Sequence, residues 1–188
     1  MGRIVVSENV SLDGVIQDPT GEEGFSFGGW FRQIGNEDRE AWAKVELDEA
    51  LGTEALLLGR RSYEWFAARW ASRTGEWADR LNSLPKYVVS TTLEDFAWNN
   101  STVLKVDEIS KLKQAVNGDI VVYASAQLVH TLIEHDLVDE LRLMIFPFVL
   151  GGGDRLFGET SDRKRMRLVD HRTVGDGLAL LTYQAVRD

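Results

Sequence analysis

The sequence predicts an α/β fold: one domain over residues 1–188 with a mixed, mostly parallel sheet, flanking helices and an antiparallel hairpin at the carboxyl end. Strand-like apolar runs alternate with segments of helical spacing, which is typical of a parallel sheet. No linker, low-complexity tract or internal repeat divides the chain. The last two strand-like runs are joined by Asp176-Gly177, a dipeptide favoured in hairpin turns.

The first half of the chain predicts two strands and two helices. "RIVVSENV" is rich in β-branched residues and predicts the first strand, followed by the long Gly-rich loop "SLDGVIQDPTGEEGFSFGG". Loops of this length inside compact domains are usually functional or mobile. A helix is expected from an Asn36 cap to a stop at Gly52. "EALLLG" then has the length of a buried strand, and "SYEWFAARW" has helical spacing.

The second half continues the alternation of strands and helices. "KYVVSTT" and "STVLKV" predict two strands, and "DEISKLKQAVNG" predicts a helix capped by Asp107 and terminated at Gly118. "DIVVYASAQLVHTLIEHDLVDELRLMIF" predicts a strand, a tight turn, a helix and another strand, which Pro147 ends.

Composition excludes several classes of partner. The net charge of -9 and the absence of Lys/Arg runs argue against nucleic acid. Cysteine is absent, so disulfides and Cys-based metal sites are excluded, and His130 and His135 lack an evident third ligand for a metal. The apolar run in the first residues, "MGRIVVSENV", is too short for a signal peptide. No apolar run reaches the roughly 18 residues that a transmembrane helix requires. We therefore expect a cytoplasmic protein with no membrane contact and no metal.

The stretch "LLLGRRSYE" predicts an anion site. Gly59 allows a sharp turn, and the helix after it would direct its free N–H groups at whatever lies beyond the strand. Arg60, Arg61 and Ser62 add two guanidinium groups, which suit phosphate oxygens, and a hydroxyl. The alternative is that the arginines are solvated or pair with neighbours such as Glu64.

Two further turns could face the same ligand. "YASAQLV" predicts a second turn from strand to helix, over Ala124, Ser125, Ala126 and Gln127. Ser90 and Thr91 end the "KYVVST" strand, at the edge where open α/β sheets bind ligands, although both residues are also common in ordinary turns.

Five motifs in register resemble those of the dihydrofolate reductase-like superfamily: "SLDG", "LLLGRRSYE", "KYVVST", "VVYASAQLVHTLIEHDLVDELRL" and "PFVLGGGDRLF". They are most similar to the reductase domain of the bifunctional deaminase-reductase of riboflavin biosynthesis. The similarity spans almost the whole chain and covers only the reductase half, since the chain lacks the Cys zinc ligands of the deaminase. It implies a single domain with eight or nine strands that binds NADPH.

The resemblance also implies roles for the turns. Arg60, Arg61 and Ser62 correspond to positions that hold the 2′-phosphate and pyrophosphate, and Ser90 and Thr91 to positions on the adenosine side. In the proteins that the chain resembles, the triple-glycine segment lies near the nicotinamide and substrate. This implies that Gly152 and Gly153 contact the cofactor and that Gly151 contacts the substrate. The chain departs from the family at Ala124, where a glycine is usual. A methyl group there would restrict the approach of the backbone to the cofactor.

A pocket acid and an aromatic cover are the remaining expectations. Dihydrofolate reductases use one carboxylate in the pocket, and Asp13, Asp48 and Glu49 are the candidates, with Asp13 preferred because it interrupts a loop of small residues at a strand end. Asp48 and Glu49 are expected to be solvated. Four aromatic residues of the long loop could cover a heterocycle or anchor the loop, and we expect Trp30 to contact the substrate; the four are Phe25, Phe27, Trp30 and Phe31.

Together these features predict an NADPH-dependent reductase of a small nitrogen heterocycle. The activity that the resemblance implies is reduction of the ribosylaminopyrimidine intermediate of riboflavin synthesis. Dihydrofolate or pterin reduction is the alternative, and a nucleotide-binding protein without turnover is another. The apolar strands near the carboxyl end, including "RLMIFPFVL", predict a homodimer.

Overall fold

A computed structural model describes residues 1–187 and contains an eight-stranded sheet in the order β4-β3-β2-β5-β1-β6-β8-β7. The strands are β1 (Arg3–Ser11), β2 (Thr53–Gly59), β3 (Lys86–Val89), β4 (Ser101–Leu104), β5 (Asp119–Tyr123), β6 (Glu140–Phe146), β7 (Met166–Val174) and β8 (Leu178–Ala185). The pairs among β1 to β6 are parallel, and β8 is antiparallel to both β6 and β7. The predicted mixed sheet with its antiparallel carboxyl-terminal hairpin is therefore confirmed.

Five helices flank the sheet: α1 (Asn36–Gly52), α2 (Arg60–Trp70), α3 (Glu76–Ser83), α4 (Ile109–Ala115) and α5 (Ala126–Glu134). Gly35 is the cap of α1, so Asn36 is the first helical residue rather than the cap. Asp107 lies in a short 3-10 turn before α4 and does not cap that helix. The sequence analysis did not predict α3. In the described chain, no helix combines the length and apolarity that a membrane span requires.

The hydrophobic core lies on both faces of the sheet. One face carries a cluster in which α4 and α5 pack on β1 and β5 through Ile109, Leu132, Val6 and Val122. On the other face, α2 and α3 pack on β2 through residues such as Tyr63, Leu81 and Leu58. A third cluster joins α1 to β6 and β8 around Phe146. The clusters fix the helices against the sheet and leave the carboxyl ends of the central strands open.

Candidate active site

A cleft opens where the two central strands separate. β1 pairs with β5 only from Arg3 to Ser7, whereas its pairing with β6 continues to Ser11. Beyond Ser7 the β5 side of β1 is therefore free of a strand partner. The cleft at this point has a volume of about 1110 Å³, somewhat above the roughly 300–1,000 Å³ of ordinary ligand pockets. It is large enough for a ligand of more than one ring.

Two helix N-termini meet at one end of the cleft. The Ser125 hydroxyl joins them, because its Oγ accepts a hydrogen bond from the Gly59 N–H and donates one to the Tyr123 carbonyl, both at 3.0 Å. Gly59 immediately precedes α2, and Ser125 precedes α5. The unsatisfied N–H groups and the positive dipole ends of both helices thus lie side by side, an arrangement suited to anionic ligands.

Two arginines add charge to this end of the cleft, and they differ in their contacts. The Arg60 Nε donates to Glu64 at 2.8 Å and its Nη1 donates to the Thr92 hydroxyl at 2.5 Å. Arg61 is exposed and has no hydrogen-bond or ion-pair partner among residues 1–187. No other Lys or Arg of the described chain lines the cleft. The pairing of Arg60 with Glu64 is the alternative that the sequence left open, and both arginines nonetheless line the cleft.

The turn before α5 has left-handed backbone at two residues that are not glycine. Ala124 has φ 50° and Ser125 has φ 64°, a region that costs an L-residue roughly 1–2 kcal/mol. A glycine at position 124 would adopt this conformation without that strain. The Ala124 side chain is exposed at the cleft. Its methyl group therefore faces the space in the cleft that a bound ligand would occupy.

Carboxyl groups on β1 and α1 also line the cleft. Glu46, on α1, lines it, and burial raises the pKa of its carboxyl to about 8, with the neighbouring Glu49 carboxylate adding to the effect. Burial also raises the pKa of the Tyr123 phenol, which lines the cleft, and the same two carboxylates raise it further. Glu49 itself accepts a hydrogen bond from Arg142 Nη1 at 3.1 Å. Glu46 is therefore mostly protonated at neutral pH and could donate a proton.

The structure brings together most of the predicted phosphate-binding residues. All of those in the two strand-to-helix turns line the cleft: Gly59, Arg60, Arg61, Ser62, Ala124, Ser125, Ala126 and Gln127. Ser90 and Thr91 do not line it. The Ser90 Oγ instead accepts hydrogen bonds from the N–H groups of Thr92 and Leu93, each at 3.1 Å, which is an ordinary turn contact. At this strand end the cleft is lined by Val89.

Asp13 does not lie in the cleft, and its contacts do not support the expected acid role. Its Oδ1 accepts hydrogen bonds from the Ser11 hydroxyl at 2.6 Å and the Leu150 N–H at 3.1 Å, and its Oδ2 accepts one from Gly151 N–H at 2.8 Å. These bonds, first of all that from Ser11, lower the pKa of Asp13 to about 2. An ionised, hydrogen-bonded carboxylate cannot donate a proton at neutral pH. Asp13 instead connects the loop after β1 to the turn after β6.

The triple-glycine segment also lies outside the residues that line the cleft. Gly151 and Gly153 have φ 78° and 108°, values that favour glycine. A side chain on Gly153 would meet Phe25 at 2.8 Å and Val15 at 2.9 Å. The glycines, including Gly152 between them, thus permit the close packing of two loops. Of the neighbouring residues, Asp154 reaches the cleft.

Trp30 is part of the core rather than a substrate contact. Its ring is fully buried against Phe146, and its Nε1 donates to the Gln17 carbonyl at 3.1 Å. The loop aromatic that lines the cleft is Phe31, which packs on Trp42 of α1 with ring centroids 5.1 Å apart. The interpretation of Trp30 as a substrate contact was therefore wrong. Trp30 instead anchors the loop, which is the alternative given for the loop aromatics.

Among the acids that line the cleft, sequence reasoning missed the two whose pKa values are raised, Glu8 of β1 and Glu46 of α1. Of the acids proposed on α1, Asp48 is exposed and Glu49 pairs with Arg142. The spacing of Trp42 and Glu46 by four residues places both on one face of the helix. An acid on the same face as a large aromatic is a signal that could have singled out Glu46.

A family model of the RibD C-terminal domain matches residues 3–180. The chain belongs to the RibD C-terminal domain family. This membership confirms the resemblance to the riboflavin-type reductase domain, and at family level it places the chain among reductases.

Individual proteins are similar to the chain over almost its whole length. The Bacillus subtilis (strain 168) protein YyaP is 28% identical over 195 residues, covering 96% of this chain and 94% of that protein. The fold is similar to that of a Shewanella sp. PV-4 protein proposed to act in riboflavin biosynthesis, with a TM-score of 0.77, 24% identity and coverage of 98% and 99% of the two chains. It is also similar to dihydrofolate reductase from Enterococcus faecalis complexed with NADP(H) and RAB-propyl, with a TM-score of 0.58, 16% identity and coverage of 98% and 97%.

Proposed function

We propose that this protein is an NADPH-dependent reductase of a small nitrogen heterocycle, of the type that reduces 5-amino-6-(5-phosphoribosylamino)uracil. The observation that carries the proposal is the polarity of the cleft. Paired helix N-termini and two arginines line the cleft where β2 and β5 end, and the protonatable carboxyl groups of Glu8 and Glu46 line it on β1 and α1, all at the carboxyl edge of the parallel strands. Ligands of open α/β sheets bind at this edge where neighbouring strands separate.

The residues of the first group fit the phosphates of a dinucleotide. The N–H groups at the starts of α2 and α5 would hold a pyrophosphate, and Ser125 keeps the two starts adjacent. Arg60 and Arg61 would hold the 2′-phosphate that distinguishes NADPH from NADH. When bound, the nicotinamide supplies hydride.

The residues of the second group fit the reduced ring. The Glu46 carboxyl, with its raised pKa, retains a proton near neutral pH and would hold it at a ring nitrogen of the substrate. Phe31 and Trp42 would cover a planar ring and exclude water. No covalent intermediate on the protein is required.

The test is loss of NADPH absorbance with a panel of substrates that contains the ribosylaminopyrimidine and dihydrofolate. Turnover of the pyrimidine alone supports the proposal, and turnover of dihydrofolate alone favours the pterin alternative. If NADPH binds but is oxidised with no member of the panel, the chain is a nucleotide-binding protein and the reductase proposal fails. Glu46→Gln should lower kcat while leaving the Kd of NADPH near the wild-type value, because the substitution removes the proton donor and leaves the phosphate-binding residues in place.

A further inference from the structure

Glu8 is a buried acid whose carboxyl has no partner in the protein. It is the first residue of β1 beyond the pairing with β5, and it lines the cleft while being only 7% exposed. Its side chain makes no hydrogen bond or ion pair with any residue from 1 to 187, and its Oε1 atom is fully buried. Buried polar groups are nearly always hydrogen-bonded. An exception that lines a cleft indicates a ligand that supplies the missing bonds.

The surroundings of Glu8 favour its uncharged form. Alternation along β1 puts Glu8 on the same face as Val6 and Val10, which belong to the apolar cluster with Leu128 and Leu143. Burial raises the pKa of the Glu8 carboxyl well above its usual range, and the Glu46 carboxyl raises it further when it is ionised. Neither Arg60 nor Arg61, the arginines that line the cleft, contacts Glu8. An unpaired carboxylate is strongly disfavoured at a buried position, so the group keeps its proton.

A neutral carboxyl offers one donor and one acceptor side by side. The group that complements both is an amide edge, in which a C=O stands next to an N–H, as in a carboxamide or a ring lactam. We propose that Glu8 recognises such an amide edge on a ring bound in the cleft, and so positions that ring between the separated strands. This proposal rests on the proposed function, in which the nicotinamide and the pyrimidine both carry amide edges.

The experiment compares Glu8→Gln and Glu8→Met, with Glu40→Gln as the control. Glutamine preserves one donor and one acceptor without charge, methionine preserves the volume alone, and Glu40 is an exposed glutamate of α1 that does not line the cleft. The ligands are NADPH, 2′-phospho-ADP-ribose, which lacks the nicotinamide, and free nicotinamide and uracil. Binding of the dinucleotides is measured by calorimetry and that of the free rings by saturation-transfer NMR.

Glu8→Met should weaken at least one amide ligand by about 10- to 100-fold, the effect of losing two hydrogen bonds. Glu8→Gln and Glu40→Gln should bind every ligand with nearly the wild-type affinity. Loss of NADPH and nicotinamide but not of 2′-phospho-ADP-ribose assigns the amide edge to the cofactor. Loss of uracil with unchanged dinucleotide binding assigns it to the substrate ring.

Three results would overturn the proposal: unchanged binding of every ligand to Glu8→Met, equal losses in Glu8→Gln and Glu8→Met, or no binding of either free ring by the wild type. Equal losses would mean that the neutral donor–acceptor pair, which glutamine retains, is not what binds the ligand. Infrared spectroscopy gives a readout independent of ligands, since a protonated carboxyl band in the wild type should be absent from Glu8→Gln. Absence of a band that depends on Glu8 also overturns the proposal. A wild type that binds nicotinamide or uracil but no NADPH would instead reject the proposed cofactor.

Discussion

Arg60 and Arg61 should set the preference for NADPH over NADH, and the structure predicts unequal contributions. Arg61 has no partner to give up, so its contact with the 2′-phosphate would retain the full value of a charge-assisted hydrogen bond, about 1.5–3 kcal/mol. This corresponds to a roughly 10- to 100-fold weaker Kd for NADPH in Arg61→Ala. Binding of NADH, which lacks that phosphate, should barely change.

Arg60 must exchange one partner for another. Its ion pair with Glu64 joins side chains that are 46% and 48% exposed, and pairs so exposed contribute about 0–1 kcal/mol. The phosphate contact exceeds that cost, so Arg60→Ala should weaken NADPH by about 3- to 100-fold. Glu64→Gln is the matched control. It releases Arg60 from its ion pair and should leave the preference for NADPH unchanged or slightly increased.

The assay is titration of both nucleotides into the wild type and the three variants, followed by tryptophan fluorescence. Trp65, Trp70 and Trp77 line the cleft and should report binding directly. Affinity of the wild type for NADPH should fall as salt rises, because exposed charges are screened. An unchanged ratio of NADPH to NADH affinity in both arginine variants would show that the arginines do not contact the 2′-phosphate.

Three further predictions concern stability and assembly. Ala124→Gly should raise the free energy of unfolding by about 0.5–1 kcal/mol, because glycine relieves the left-handed strain. The control Ala126→Gly, at the start of α5, should lower the free energy of unfolding by up to about 1 kcal/mol. If urea denaturation shows a lower free energy of unfolding for both variants, the strain argument is wrong. The raised pKa of Glu46 means that the folded state binds the extra proton between about pH 4.5 and 8, so stability should fall as pH rises through this window, by at most ~1.4 kcal/mol per pH unit. Glu46→Gln should lose that contribution and the exposed Glu40→Gln should keep it, as measured by denaturation at several pH values. We also propose a homodimer through the edge strand β7, where Leu168 is 45% exposed. Light scattering should give twice the 21.2 kDa chain mass for the wild type and a mass closer to that of the monomer for Leu168→Lys. A wild-type monomer at micromolar concentration would contradict the proposal.

Local signals in the sequence predicted most of the fold. Gly59 marks the end of a buried strand and the start of a helix, Pro147 directly follows the end of β6, and Asp176-Gly177 lies in the hairpin between β7 and β8. The helix that was missed, α3, has only eight residues. It follows Gly75 at φ 117°, and its buried residues Ala78 and Leu81 make too short an apolar stripe to stand out by periodicity.

For the candidate site too, the sequence predicted the residues that local signals mark and missed those whose role depends on distant parts of the chain. Residues of the turns at Gly59 and Ala124 were found, because a turn between a strand and a helix is encoded within a few neighbouring positions. Glu8 and Glu46 were missed, because their burial depends on elements far apart in the chain. "SENV" has the polarity of an exposed strand end, yet Glu8 is only 7% exposed in the folded protein, on the face of β1 that carries Val6 and Val10.

The distribution of charge in the cleft fixes the direction in which a dinucleotide would lie. The chain carries a net charge of -9, so most of its surface repels a phosphate. Arg60 and Arg61 attract it at one end, and the helix N-termini there add to the attraction. On β1 and α1, Glu8 and Glu46 would repel phosphates if they were ionised, and would offer hydrogen-bond donors to a neutral ring when protonated. If the protein binds the proposed dinucleotide, both effects would place its phosphates at α2 and α5 and its nicotinamide ring at β1 and α1, so the raised pKa values of the two acids and the position of the arginines favour the same orientation.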